Sequence, residues 1–161
     1  MKIFAFFTFI CFYLILKPME SATNSNNFDS SIHSIKDAVN AWCDNPNTAE
    51  ATYGHISTWD TSHITDMSAL FNGGRNPSCL TFNGNINNWN VSSVTNMNGM
   101  FSGASLFNQD ITQWNVSNVT DMSCMFEGAT SFNGDISKIN KMLDNRPMFT
   151  WKMGKQWITR K

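Results

Sequence analysis

The sequence predicts a repeat solenoid: stacked 25-residue units behind an N-terminal capping helix. Three observations predict it. The block FNGNINNWNVSSVTNMNGMFSGASL, Phe82 to Leu106, runs straight into FNQDITQWNVSNVTDMSCMFEGATS, Phe107 to Ser131, and the two match at most positions. Large apolar residues recur in fixed columns, with Ser, Asn, Thr and Asp between them. An amphipathic segment stands in front of the array. Self-similarity at a fixed period of roughly 20 to 50 residues marks stacked architectures, because one unit cannot bury its apolar residues and a stack can.

The columns define the candidate core. Trp89 and Trp114 are 25 residues apart, as are Ile86 and Ile111, Val94 and Val119, Met97 and Met122, Phe101 and Phe126, and Phe82 and Phe107. An earlier copy, Tyr53 to Phe71, places Ile56, Trp59, Met67 and Phe71 in the same columns at a spacing of 30, the extra residues falling within Gly73 to Leu80. A fourth copy opens at Phe132 and fails at Ile139, where the column asks for Trp, and at Lys141, where it asks for Val.

Within a unit, Val94 to Met97 is β-branched and flanked by turn formers, so it reads as a short strand. Parallel pairing of such strands would set neighbouring units about 4.8 Å apart. Met97, Met100 and Phe101, spaced three and four apart, predict a helical turn after each strand. Gly103-Ala104 and Gly128-Ala129 then allow a tight bend. The polar columns Asn83/Asn108/Asn133 and Asn90/Asn115/Asn140 read as structural, each side chain bonding local backbone or its copy in the next unit. The functional alternative is an exposed polar stripe that binds glycan or protein.

The pattern F-N-x-D-I-x-x-W-N/D-V-S-N-V-T-D-M-x-x-M-F-x-G-A resembles the 25-residue repeat of the mycoplasma-type surface lipoproteins, which are grouped with the BspA-like leucine-rich-repeat surface proteins. The resemblance covers about residues 52 to 140. It implies a right-handed, leucine-rich-repeat-like coil with short parallel strands and short helical turns, carried by a secreted or cell-surface protein. It also implies an adhesion or interaction role.

Four segments follow in chain order. Residues 1–22 read as a signal peptide, with Lys2, the apolar run Ile3 to Leu16 and a small-residue end at Ser21-Ala22. A retained anchor is the alternative, although the run is short of the ~20 residues a membrane span needs. Cys11 lies too deep in that run to suit lipid attachment, a departure from the lipoproteins. Residues 23–51 hold a flexible start, Thr23 to Phe28, and the capping helix, Ser31 to Trp42. Its apolar face is Ile32, Ile35, Val39 and Trp42, and Asp29, Ser30 or Ser31 caps it. Residues 52–137 are the repeats.

Residues 138–161 form a divergent basic tail, with seven basic residues and one acid for a net +6. Residues 23 to 137 carry two basic residues and ten acids, a net −8. The tail can fold back onto the acidic units or meet an anionic surface. Nucleic acid is not an expected partner.

Three cysteines remain after the signal. Cys43 ends the capping helix and Cys79 sits in the insertion, so both belong at one end of the stack and are predicted to form a disulfide, as secretion permits. Cys124 shares a column with Ala69 and Gly99, where a small residue is required, and reads as a buried free thiol.

Chemistry is sparse. No metal-ligand spacing, phosphate-binding glycine loop or nucleophile elbow occurs, so no catalytic, cofactor or metal residues are expected. His55 and His63 near Asp60 and Asp66 invite a His/Asp pair, but their slots hold Asn85 and Ser93 in the next unit, which marks outward positions. Asp60, Asp66, Asp110, Asp121 and Asp135 read as turn residues ahead of calcium ligands. Asn90, Asn115 and Asn118 head glycosylation sequons that arise from the repeat itself. The expected function is non-catalytic binding of an extracellular protein or glycan. The alternatives are a structural unit that self-associates through its open C-terminal coil, or a truncated repeat fragment without independent function.

Overall fold

The computed structural model describes residues 27–136 and the backbone of 150–153 and 156–159. The predicted signal peptide and most of the basic tail lie outside the described residues. So do Ile139 and Lys141, where the fourth copy departs from the pattern, and Asn140, which keeps to it.

Helix α1 spans Ile35–Asp44, and its buried face is Ile35, Ala38, Val39 and Trp42. It starts later than predicted. Asp29 accepts from the N–H (2.7 Å) and hydroxyl (2.6 Å) of Ser31, which holds residues 29 to 31 in a turn. Ser34 caps the helix instead, accepting from the Asp37 N–H. Ile32 therefore falls outside the helix and is 75% exposed. A second helix, α2, spans Pro46–Tyr53 and was not predicted. Asn45 caps it by accepting from the Thr48 N–H, Pro46 opens it, and Gly54 ends it at φ 70°. Only Ala49 is buried, so its periodicity in the sequence is faint.

The predicted flexible start ends in fixed structure. Phe28 is 1% exposed; its N–H donates to Tyr53 and its carbonyl accepts from Asp60.

The predicted coil of short parallel strands and helical turns is not formed. Among the described residues the repeats contain no sheet, and the only parallel pairing is at the isolated bridges Asp29–Asp60, Asp66–Asn96 and Asn96–Asp121. Neither does a helical turn follow Met97. The cause is local. Ala69, Gly99 and Cys124 have φ of 53°, 59° and 56°, a left-handed kink that interrupts both strand and helix. What the column shares is this left-handed backbone, and at Gly99 an added Cβ would meet nothing nearer than 3.6 Å.

The units are joined by a different device. The amides of Met97, Gly99, Phe101 and Gly103 donate to the carbonyls of Asp121, Ser123, Met125 and Glu127 in the next unit, at 2.6–2.8 Å. The residues between them turn inward on their own unit: Asn98 donates to the Asn96 side chain, and Met100, Ser102 and Ala104 donate to Met97, Gly99 and Phe101. Every amide from 97 to 104 is thus satisfied, alternately across and within units. The preceding pair repeats the scheme: Met67, Ala69, Phe71 and Gly73 donate to Asn96, Asn98, Met100 and Ser102.

The apolar columns fill the interior. Ile56, Trp59, Met67 and Phe71 are buried, as are Phe82, Ile86, Trp89, Val94, Met97 and Phe101, and then Phe107, Ile111, Trp114, Val119, Met122 and Phe126. The rings stack in register. Phe71 lies on Phe82 and Phe101 on Phe107, both at 3.9 Å, and Phe126 lies on Phe132 at 4.1 Å. Each of the three column tryptophans keeps its polar edge satisfied. The indole N–H of Trp89 donates to Ile56 (2.8 Å) and that of Trp114 to Ile86 (3.3 Å), each a carbonyl of the preceding unit. Trp59 has no preceding unit and donates to Gly54 at the end of α2 (3.0 Å).

Cys43 and Cys79 form a disulfide with Cα atoms 5.0 Å apart, tying α1 to the 3-10 turn Pro77–Thr81 inside the insertion. Cys124 is a free thiol and is exposed rather than buried. Partial desolvation and the neighbouring Glu127 hold the thiol pKa above its ordinary value, which lowers its thiolate fraction. In the tail, β1 (Thr150–Met153) and β2 (Gln156–Thr159) pair antiparallel, Thr150 opposite Thr159.

Candidate binding surface

The outer face is built from the polar columns, and most of their side chains hold the fold. One set forms Asx turns. Asp60, Asn90 and Asn115 each accept from the N–H two residues ahead, at Ser62, Ser92 and Ser117. Asp66, Asn96 and Asp121 do the same toward Ser68, Asn98 and Ser123. Asp and Asn alternate in these slots because the turn itself needs only one side-chain oxygen; Asp66 also uses its second oxygen, toward Lys36. A second set crosses between units. The Asn83 side chain accepts from the Asn108 N–H, and that of Asn108 from the Asn133 N–H. The Thr95 and Thr120 hydroxyls donate to the carbonyls of Thr65 and Thr95.

These bonds set the acidities. The Ser31 hydroxyl and N–H lower the Asp29 pKa below its usual value; the Ser62 N–H does so for Asp60 and the Ser123 hydroxyl for Asp121. For Asp66, burial pushes upward but is outweighed by Ser68 and by Lys36 at 3.4 Å. Among the described residues no group of three His, Cys, Asp or Glu side chains is placed to hold a metal.

The histidines serve separate local networks. His55 bonds Ser57 (2.8 Å) and meets Trp42 edge-on. His63 sits between Ser30 (3.4 Å) and Ser62 (3.2 Å). The three sequon asparagines are all exposed, but they differ. Asn90 and Asn115 use only their oxygens, whereas the amide nitrogen of Asn118 donates to Ser92 (2.7 Å).

One feature was missed in the sequence. Where the repeat is interrupted, Lys36 and Asn40 of α1 face Ala69, Leu70, Asn72, Arg75 and Asn76 across a cavity of about 130 Å³. The insertion supplies Arg75 and Asn76, and the disulfide holds it against the helix. The signal was available: Lys36 and Arg75 are the only Lys or Arg residues between positions 27 and 136.

The family model described as "Mycoplasma protein of unknown function, DUF285" matches residues 40–156, most of the chain. The chain belongs to that family. The DUF285 match begins inside α1 and runs through all three units to the start of β2. Searches of curated proteins and of solved structures gave no match. Among the described residues of this DUF285 chain, no helix is long and apolar enough to cross a membrane.

Proposed function

We propose that this chain is a secreted or cell-surface, non-catalytic module that binds an extracellular glycan or protein through the outer face of its stacked units. One observation carries the reading. The same exposed polar groups recur on a backbone whose amides are locked between units, as with Asn90 above Asn115. A rigid surface with a repeating polar pattern suits a repeating or extended ligand. The resemblance to the BspA-like surface proteins supports it, and a disulfide suits an oxidising exterior. The test is a binding screen of the oxidised chain against glycans and extracellular proteins. Saturable binding to a surface-derived ligand is the expected result; no binding to any of them refutes the proposal.

A second reading, self-association, is favoured by one detail. The amides of Met122, Cys124, Phe126 and Gly128, equivalent to those that bridge units elsewhere, meet no backbone acceptor among the described residues. Open donors of this kind template pairing with another chain. Sedimentation at rising concentration separates the readings, because a strict monomer removes this one.

A further inference from the structure

We infer that the cavity between α1 and the insertion is an anion subsite that takes the carboxylate of an acidic sugar. The inference rests on the binding role proposed above and names the ligand chemistry at one place on that surface. Residues 27 to 136 carry ten acids against two basic residues, so cationic side chains are scarce on this part of the chain. Both basic residues, Lys36 and Arg75, line this one cavity, and no acid lines it.

The polar groups around it are arranged as donors. Asn76 directs its amide nitrogen to Asn40 (3.2 Å) and Asp44 (3.4 Å), which occupies the Asn40 oxygen. The Asn72 oxygen is taken by the N–H groups of Gly74 (2.8 Å) and Arg75 (3.1 Å). The amide nitrogens of Asn40 and Asn72 and the guanidinium of Arg75 have no partner among the described residues. Lys36 makes one ion pair, to Asp66 at 3.4 Å, and keeps further N–H groups.

A planar guanidinium with free N–H groups matches a carboxylate in bidentate fashion. Asn nitrogens suit the adjoining hydroxyl oxygens, and buried Leu70 offers an apolar floor to a ring face. A cavity of about 130 Å³ is well above the roughly 10–15 Å³ one water needs, so it has room for an acidic group. The walls are fixed before binding, since the Cys43–Cys79 bond pins the insertion to α1, and preorganisation lowers the cost of association.

The test uses the full oxidised chain and calorimetry with three probes: a glucuronate-terminated disaccharide, its glucose-terminated counterpart and inorganic phosphate. The acidic disaccharide should bind and the neutral one should not. Arg75→Gln should weaken binding by roughly tenfold or more, the loss of one charge-assisted contact, and Lys36→Gln should weaken it less. Both positions are exposed, so both variants should melt like the parent. The assignment is overturned if the two sugars bind alike, if phosphate binds and the acidic sugar does not, or if neither substitution changes affinity. A macromolecular partner whose binding ignores both substitutions sinks this subsite alone. A screen blank for every macromolecule sinks the broader reading instead.

Discussion

Trp89→Ala should remove much of the stability of the chain. Trp89 is 3% exposed, stacks on Trp59 at 6.0 Å and 17°, and leans on Phe71 at 5.8 Å. Truncating a buried aromatic of this size costs about 3–5 kcal/mol through lost burial and the cavity left behind. The indole N–H also satisfies the Ile56 carbonyl across the unit boundary. Trp89→Phe separates the two contributions. It keeps the stacked ring and loses the hydrogen bond, so it should cost about 1–2 kcal/mol. Domains of this size are stable by roughly 5–15 kcal/mol, so Trp89→Ala brings the fold near its threshold. The assay is urea denaturation followed by far-ultraviolet circular dichroism, because fluorescence would mix six tryptophans. Trp89→Ala within 0.5 kcal/mol of the parent, a margin of about the size expected for surface substitutions, would refute the stacking argument.

Further outcomes follow from single features. Gly99→Ala should destabilise by about 1–2 kcal/mol, the cost of a left-handed alanine. The new Cβ would meet nothing nearer than 3.6 Å, so an unchanged melting curve would show that the kink is absent. Cys124→Gly should stabilise by up to about 1 kcal/mol in the same assay, since glycine relieves that strain; a loss of stability contradicts it. Reducing the disulfide opens a loop of 36 residues and should cost about 4 kcal/mol on the chain-entropy scale, read as a lower denaturation midpoint in reductant. The carboxylates of Asp29, Asp60, Asp66 and Asp121 are held below their ordinary pKa of 3.8. The unfolded chain therefore binds protons first, and stability should be full above about pH 5 and fall as pH drops through 3.8 and below. Asp121→Asn should flatten part of that fall, because Asn96 makes the same turn in the same column without titrating; an unaltered profile would remove Asp121 from the account.

The interior was legible in the sequence and the backbone path was not. A column of Trp or Met at constant spacing states which residues meet, and burial follows from the pattern whatever curve the chain takes. The strand assigned to Val94–Met97 rested on β-branching, which reports a residue's tolerance for an extended backbone, not the presence of a ladder. The decisive column was read as small when it is left-handed; Gly99 could have disclosed this, but Ala69 and Cys124 pointed to size. Helix α2 went unseen because a helix burying only Ala49 leaves almost no period. The Lys36–Arg75 cavity was hidden for another reason. Its walls lie 39 residues apart and meet only once α1 is laid beside the insertion.

The most direct test is to observe the hydrogen bonds between units themselves. In isotopically labelled protein, scalar couplings transmitted through a hydrogen bond link an amide nitrogen to the carbonyl carbon that accepts from it. Cross-peaks should connect Gly99 to Ser123 and Phe101 to Met125, while Met100 should connect to Met97. Couplings from Gly99 and Phe101 to carbonyls of their own unit, with none to the next, would contradict the account.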